Sequence, residues 1–99
     1  MSPRHQGATV HELARVAELA ALPGETLSRL AETMERQELR PGERLDAGVR
    51  FGVVLAGLVG GTRGLLRPGD TFDGPVAATT PATVATCERE SYEEIVARR

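Results

Sequence analysis

The sequence contains no lysine and no tryptophan, and it has only three aromatic residues, Phe51, Phe72 and Tyr92. A chain of 99 residues buries little more than about 60% of its unfolded surface, so leucine, valine and alanine must supply most of the core. All twelve basic residues are arginines, and the formal net charge is −2. Because the chain lacks an overall basic field, we expect no nucleic acid and no membrane as partner.

Cysteine is also scarce, since Cys87 is the only one and no internal disulfide can form. Charged residues between positions 11 and 18 interrupt any apolar run near the N-terminus, so we expect no signal peptide. The longest apolar run, residues 52–61, is about half as long as a membrane-spanning helix requires. These features predict a cytoplasmic protein.

Residues that could carry chemistry are few and badly spaced. His5 and His11 both precede the glycine-rich part of the chain, whereas a metal-binding barrel needs histidines on its strands. No histidine accompanies Cys87, and its neighbour Glu88 does not activate a thiol, which favours a buried structural cysteine. We therefore expect no metal, no cofactor and no enzymatic activity.

Two further groups of residues have simple structural interpretations. The glycine cluster at 57–64, GLVGGTRG, lacks the Lys-Ser/Thr pair and the following helix of a phosphate-binding loop. Hairpin turns explain these glycines better than a phosphate or RNA clamp does. Four acids fall at turns, where carboxylates commonly bond to the backbone, and this position favours solvated turn residues over a calcium site: Glu43, Asp46, Asp70 and Asp73.

The N-terminal third has a helical pattern. We interpret residues 1–7 as a disordered tail before a single domain at 8–99. Thr9 and Glu12 match a capping box, and the residues after Thr9 that follow at helical spacing are Val10, Leu13, Ala17 and Ala20. A second helix is predicted from about Glu25 to Gln37. Its apolar face would hold Leu27, Leu30, Ala31 and Met34, and its polar face the pairs Glu25–Arg29 and Glu32–Arg36.

From residue 40 the chain changes to short apolar runs separated by glycine and proline. Nine of the eleven glycines lie between Gly42 and Gly74, and this spacing is typical of antiparallel sandwiches and barrels. The final stretch, ERESYEEIVARR at 88–99, returns to a helical pattern. The predicted fold is mainly β, an antiparallel β-roll or jelly roll preceded by two helices and closed by a short C-terminal helix.

One corner occurs twice in this β region. RPGERLDAG at 40–48 and RPGDTFDGP at 67–75 align position by position, 27 residues apart. In each, proline presets φ at the second turn position and glycine supplies a positive φ at the third, as a type II turn requires. We predict that Gly42 and Gly69 hold these two turns.

Taken together, these segments resemble the cyclic nucleotide-binding domain of bacterial Crp/Fnr-like regulators. The matching stretches run from LPGETLSRL through RPGE, FGVVLAG and LLRPGDTFDG to the closing SYEEIV, over about residues 19 to 97. The resemblance implies a β-roll whose corner at Gly69–Phe72 leads into a phosphate-binding cassette. In the family this cassette has a Gly-Glu pair that holds the ribose and a short helix with an arginine that holds the cyclic phosphate.

The chain departs from the family where that cassette should begin. Asp73-Gly74-Pro75 passes directly into Val76, which leaves no residues for the cassette helix, and no arginine lies between Arg67 and Arg89. We expect neither the long helix that follows the roll in the family nor a helix-turn-helix after it. Phe72, Asp73 and Gly74 are interpreted as the vestigial rim of a nucleotide pocket, with Arg63 and Arg67 as the nearest arginines that could substitute.

The sequence therefore favours a non-catalytic protein-interaction or accessory module that does not bind cyclic nucleotide. The alternative is a small-molecule sensor or regulatory domain that binds another ligand in the trimmed roll. A protein partner or a homo-oligomer is expected, and we predict that it packs on the small apolar residues Val16, Leu19, Ala20 and Ala21.

The corner assignment can be tested by substitution. Replacing Gly42 or Gly69 with valine should lower the free energy of unfolding by about 1 kcal/mol or more, because β-branched residues resist positive φ. Urea unfolding followed by circular dichroism measures the effect. Two valine variants as stable as the wild type would contradict the turn assignment.

Overall fold

The computed structural model describes residues 9–45, 50–62 and 64–97. The predicted tail at 1–7, the corner residues Asp46 and Gly48, and Arg63 lie outside these ranges. Within these ranges, three helices and eight strands follow one another in the order α1 (Val10–Leu13), α2 (Gly24–Thr33), β1 (Glu35–Leu39), β2 (Arg44–Leu45), β3 (Arg50–Ala56), β4 (Val59–Gly61), β5 (Gly64–Leu66), β6 (Thr71–Phe72), β7 (Val76–Ala78), β8 (Ala82–Glu88) and α3 (Arg89–Ala97).

The strands form two antiparallel four-stranded sheets, which confirms the predicted β-roll with flanking helices. The first sheet has the strand order β1-β8-β3-β6 and the second has the order β2-β7-β4-β5. If each of β1 to β4 is exchanged with the strand four places later, the first order becomes β5-β4-β7-β2. This is the second order read backwards. The twin corners seen in the sequence therefore belong to an internal repeat of the whole roll.

The first sheet lies between two hydrophobic cores because successive side chains of a strand point to opposite faces. One face packs against the helical segments, and that core contains Leu13, Val16, Leu19, Leu27, Leu30, Ala31, Met34, Phe51, Val53, Ala85 and Cys87. The other face packs against the second sheet, and that core contains Leu39, Val54, Val59, Phe72, Val76, Ala78, Ala82 and Val84. Cys87 is buried in the first core, as the sequence favoured.

The first corner closes with four hydrogen bonds. The amide of Glu43 donates to the carbonyl of Arg40 across the turn, and the Glu43 carboxylate accepts the amide of Arg40, both at 2.9 Å. The amide of Gly42 donates to the carbonyl of Ala78 at 2.7 Å, and the Ala78 amide donates back to the Glu43 carbonyl at 2.9 Å. Gly42 has φ +85°, the positive value that the turn requires.

The second corner repeats every one of these bonds with Val54 in the place of Ala78. Asp70 and Arg67 exchange the same backbone and carboxylate bonds at 2.9 Å, and Gly69 has φ +98°. The amides of Gly69 and Val54 donate to the carbonyls of Val54 and Asp70, again at 2.9 Å. Glu43 and Asp70 are therefore turn residues that satisfy backbone donors, as predicted.

The first predicted helix is much shorter than expected. The capping box of Thr9 and Glu12 forms, but α1 ends at Leu13, and turns with hydrogen bonds to the third preceding residue continue to Leu22. Such turns bring every third residue to one side, so Leu13, Val16 and Leu19 are buried, whereas Ala17 and Ala20 are exposed. The predicted interface on Val16 and Leu19 is wrong, because both side chains lie inside their own chain.

The second predicted helix is too long at its C-terminal end. Helix α2 ends at Thr33, and Glu35–Leu39 pairs along its whole length with β8 in register Glu35↔Thr86 to Leu39↔Ala82. This ladder outweighs helical pairs worth only a few tenths of a kcal/mol each. Consequently Arg36 bonds to Glu12 at 2.8 Å rather than to Glu32. The predicted apolar face of α2 is confirmed, since Leu27, Leu30, Ala31 and Met34 are all buried.

Phe72 depends on a glycine on the neighbouring strand. Gly52 and Phe72 are directly opposed in the β3–β6 pair, and a Cβ atom on Gly52 would overlap the Phe72 ring. The missing side chain thus allows the ring to lie over the backbone of β3, a known way for an aromatic residue to compensate a glycine in a sheet.

Substituting Gly52 with alanine should push the Phe72 ring out of place and destabilise the fold by about 1–3 kcal/mol, the usual cost of overpacking. The matched control is Gly24→Ala, where an added Cβ meets no atom within 4 Å. Thermal and urea unfolding of both variants measures the difference. Equal stability of the two would show that Phe72 is not held by this contact.

Candidate functional site

A cleft of about 300 Å³ opens where β6 ends and the chain crosses to the second sheet through residues 73–75. We call it the β6–β7 cleft. It reaches both cores because β6 is an edge strand of only two residues. Its lining residues are Phe51 and Tyr92 on the side of the helices, Gly61, Leu66, Phe72 and Val76 between the sheets, and Glu18, Thr62, Thr71, Asp73, Gly74, Pro75 and Arg89 around the mouth.

An aromatic pair forms one wall of the cleft. The rings of Phe51 on β3 and Tyr92 on α3 are stacked, with centroids 3.8 Å apart and an interplanar angle of 14°. Burial raises the pKa of the Tyr92 hydroxyl above its usual value of 10.0, and the negative charge of Glu18 raises that pKa further. Tyr92 therefore presents an uncharged ring and hydroxyl at neutral pH.

The charged groups of the mouth are bonded to one another. The guanidinium of Arg89, in the first turn of α3, donates to the Asp73 carboxylate at 2.7 Å, and Glu93 lies 3.9 Å from the same guanidinium. The bond to Asp73 raises the pKa of Arg89. On the opposite side, the hydroxyl of Thr71 donates to the Glu18 carboxylate at 2.8 Å. The described residues that line the mouth thus include two carboxylates, Glu18 and Asp73, and one cation, which is paired.

The residues predicted as a vestigial rim all lie at this cleft. Phe72, Asp73 and Gly74 line it, and their role in binding stays a prediction. The connection from β6 to β7 consists of residues 73–75 and contains no helix. Gly42 and Gly69 do not line this cleft, and each has a positive φ in its corner.

Sequence reasoning missed Glu18 and Arg89 as residues of the mouth. Arg89 was treated only as the end of a stretch without arginine, yet it follows β8 directly and reaches back across 16 positions to Asp73. Glu18 lies 53 positions before its partner Thr71. No local pattern signals either contact, because both depend on where the helical segments pack on the first sheet.

Other kinds of site have little support in the part of the chain that the structure describes. Within it, no three metal-ligating side chains come together, and His11 is exposed on α1. The described helices are also too short and too polar to cross a membrane.

The environment of Tyr92 can be tested directly, because the chain has a single tyrosine. Phenolate absorbance should show a pKa above 10.0, and Glu18→Gln should lower it, whereas Glu90→Gln should leave it unchanged. Since folding favours the neutral form, the stability from this group is complete below pH 10 and is lost as the pH rises through the folded pKa. A wild-type pKa at or below 10.0 would contradict the burial of Tyr92 beside Glu18.

Comparison with known proteins identifies the architecture. No protein-family model matches the chain, and no curated protein matches it. Solved structures do. The regulatory domain of Toxoplasma gondii PKA, crystallised with cAMP, is 18% identical with a TM-score of 0.76, over 88% of this chain and 43% of that one. A regulatory subunit of a cAMP-independent protein kinase A from Trypanosoma cruzi, bound to guanosine, is 21% identical with a TM-score of 0.74, over 89% and 40%.

A bacterial structure matches over nearly its whole length. The cyclic nucleotide-binding-like protein from Brucella abortus is 19% identical with a TM-score of 0.65, over 89% of this chain and 97% of that one. In contrast, this chain spans about two fifths of the two protein kinase A structures. The fold of this protein is that of the cyclic nucleotide-binding domains, as the order of its sequence motifs predicted.

Proposed function

We propose that the protein is a non-catalytic interaction module of the bacterial cytoplasm, built on the cyclic nucleotide-binding fold but unable to bind cyclic nucleotide. The observation that carries the proposal is the charge at the β6–β7 cleft. Among the described residues that line the cleft, the one cation is Arg89, which is paired with Asp73 and lies near Glu93, while Glu18 adds a second carboxylate to the mouth. A cyclic phosphate would meet more negative than positive charge there.

Phosphate binding needs groups that the connection between β6 and β7 does not supply. A bound phosphate loses its hydration, and the protein must replace it with charge-assisted hydrogen bonds worth about 1.5–3 kcal/mol each. Arginine and the N-terminus of a helix are the usual donors, and the connection at 73–75 contains neither. Losing two or three such bonds weakens binding by about 10² to 10⁶-fold, since each 1.4 kcal/mol changes the affinity tenfold.

The neighbouring Arg67 offers little compensation. Arg67 is exposed at the second corner, and it is not among the residues that line the cleft. Arg63 lies outside the described residues. The non-catalytic part of the proposal rests on the sequence, in which no histidine accompanies Cys87 and no nucleophile–base pair is recognisable.

A second candidate function is a small-molecule sensor, and the β6–β7 cleft itself favours it. Its volume of about 300 Å³ is at the lower limit for small-molecule sites. Its lining includes the aromatic rings of Phe51, Phe72 and Tyr92, and the charges at its mouth are largely internally bonded, so a ligand without a phosphate would fit it better than a nucleotide. The T. cruzi neighbour bound to guanosine makes that uncharged nucleoside a suitable probe.

Calorimetric titration with cAMP, cGMP and guanosine tests both candidates on the intact chain. We expect no saturable heat with either cyclic nucleotide up to millimolar concentration. Micromolar binding of cAMP or cGMP that disappears in Arg89→Ala, Arg67→Ala or Arg63→Ala would overturn the proposal. Saturable binding of guanosine, lost in Tyr92→Ala, would favour the sensor. Thermal unfolding of each variant verifies that it remains folded.

A further inference from the structure

The two equivalent edges of the repeat differ in their side chains. β1 is an edge strand of the first sheet, and β5, its counterpart 27 residues later, is an edge strand of the second. Edge strands leave a row of backbone N–H and C=O groups unpaired, and proteins usually protect them with charged residues. Both strands thus have an unpaired backbone edge, and their side chains decide whether charged residues protect it.

β1 is protected in this way, and β5 is not. β1 exposes four polar or charged residues in succession, Glu35 to Glu38. In the repeat, Gln37 corresponds to Gly64 and Glu38 corresponds to Leu65. Leu65 is 52% exposed, and the only other exposed large hydrophobic side chain among the described residues is Val10, at 37%. An exposed leucine occupies the position at which the other repeat has a solvated glutamate.

The sheet face beside Leu65 is unusually bare. The strand registers place Arg44, Ala77, Gly60 and Leu65 in one row across the outer face of the second sheet. The two central members have almost no side chain, so a neighbouring chain can approach the sheet closely. The row also joins the apolar Leu65 at the edge to a cation, Arg44, at the far side.

We propose that the β5 edge (Gly64–Leu66) binds an extended segment of a partner protein, which adds to the second sheet as a fifth strand with an apolar side chain on Leu65. This inference rests on the proposed interaction function and assigns it a surface. An extended strand is the partner that satisfies a row of unpaired backbone groups, and contacts at alternate side chains then give specificity. Among the described residues, no strand lies on the free side of β5.

The charges near this edge select the kind of segment. The exposed side chain of Arg67, directly after β5, forms no ion pair among the described residues, whereas the carboxylate of Asp70 is occupied by a turn amide. A segment with acidic residues flanking an apolar one complements this cation. A second copy fits less well, because antiparallel pairing centred on Leu65 would oppose positions 63 and 67, which are both arginine.

A displayed library of short random peptides, selected on the intact wild-type chain, supplies the probe. Enriched peptides should carry an apolar residue between acidic ones and should shift the backbone amide signals of β4 and β5 in NMR spectra. Leu65→Glu should weaken their binding at least tenfold, as expected for the loss of a central apolar anchor. The matched control Val10→Glu, at the other exposed hydrophobic residue, should bind them like the wild type.

Several results would overturn the inference. The inference is wrong if the peptides bind Leu65→Glu as well as they bind the wild type. It is also wrong if the NMR signals shift at β1 or at the β6–β7 cleft instead, or if the selection enriches no peptide. A wild-type dimer that Leu65→Glu converts to monomer would show that the edge pairs with a second copy. The cyclic nucleotide titration is independent of these outcomes, so loss of the edge proposal and loss of the nucleotide proposal are distinguishable.

Discussion

The pairing of β3 with β8 at the centre of the first sheet is the contact on which the rest of the structure depends. These two strands face the helices with Phe51, Val53, Ala85 and Cys87 and face the second sheet with Val54, Ala82 and Val84. A small chain with three aromatic residues thus forms two cores, one on each face of the first sheet. Every other element is attached to this pair directly or through a corner.

The β6–β7 cleft is a consequence of the same arrangement. β6 stops after Phe72, and three residues carry the chain to the second sheet, so the gap between the layers is left open to solvent. A family member with a cassette helix would place phosphate-binding groups at this point. Here residues 73–75 contain no helix, and the Asp73 carboxylate accepts a hydrogen bond from Arg89 at 2.7 Å.

Comparing the two halves of the internal repeat shows which residue types the corners require and which positions can vary. Both corners need glycine at the positive φ position and an acid that accepts the turn amide, and these requirements are met identically at Gly42 and Gly69. The strands before the corners carry no such requirement on their outer faces. Glu38 and Leu65 therefore differ without cost to the turn, so one edge carries a solvated glutamate while its counterpart exposes a leucine.

The sequence by itself determined the features that depend on a few neighbouring residues. Proline and glycine fix the two corners, the capping box starts α1, and the helical pattern of residues 88–99 predicts α3. The order of these motifs also sufficed to predict the fold. Each of these features follows from local backbone preferences, which the surrounding structure leaves intact.

Only the tertiary structure decided the features that join distant parts of the chain. Glu35–Leu39 has a helical pattern but becomes a strand because β8 offers a complete ladder. Val16 and Leu19 look like a surface patch but are buried by α2 and the first sheet. The pairing of Arg89 with Asp73 and the exposure of Leu65 likewise depend on how layers and edges are placed, because long-range packing and hydrogen bonding outweigh local propensity.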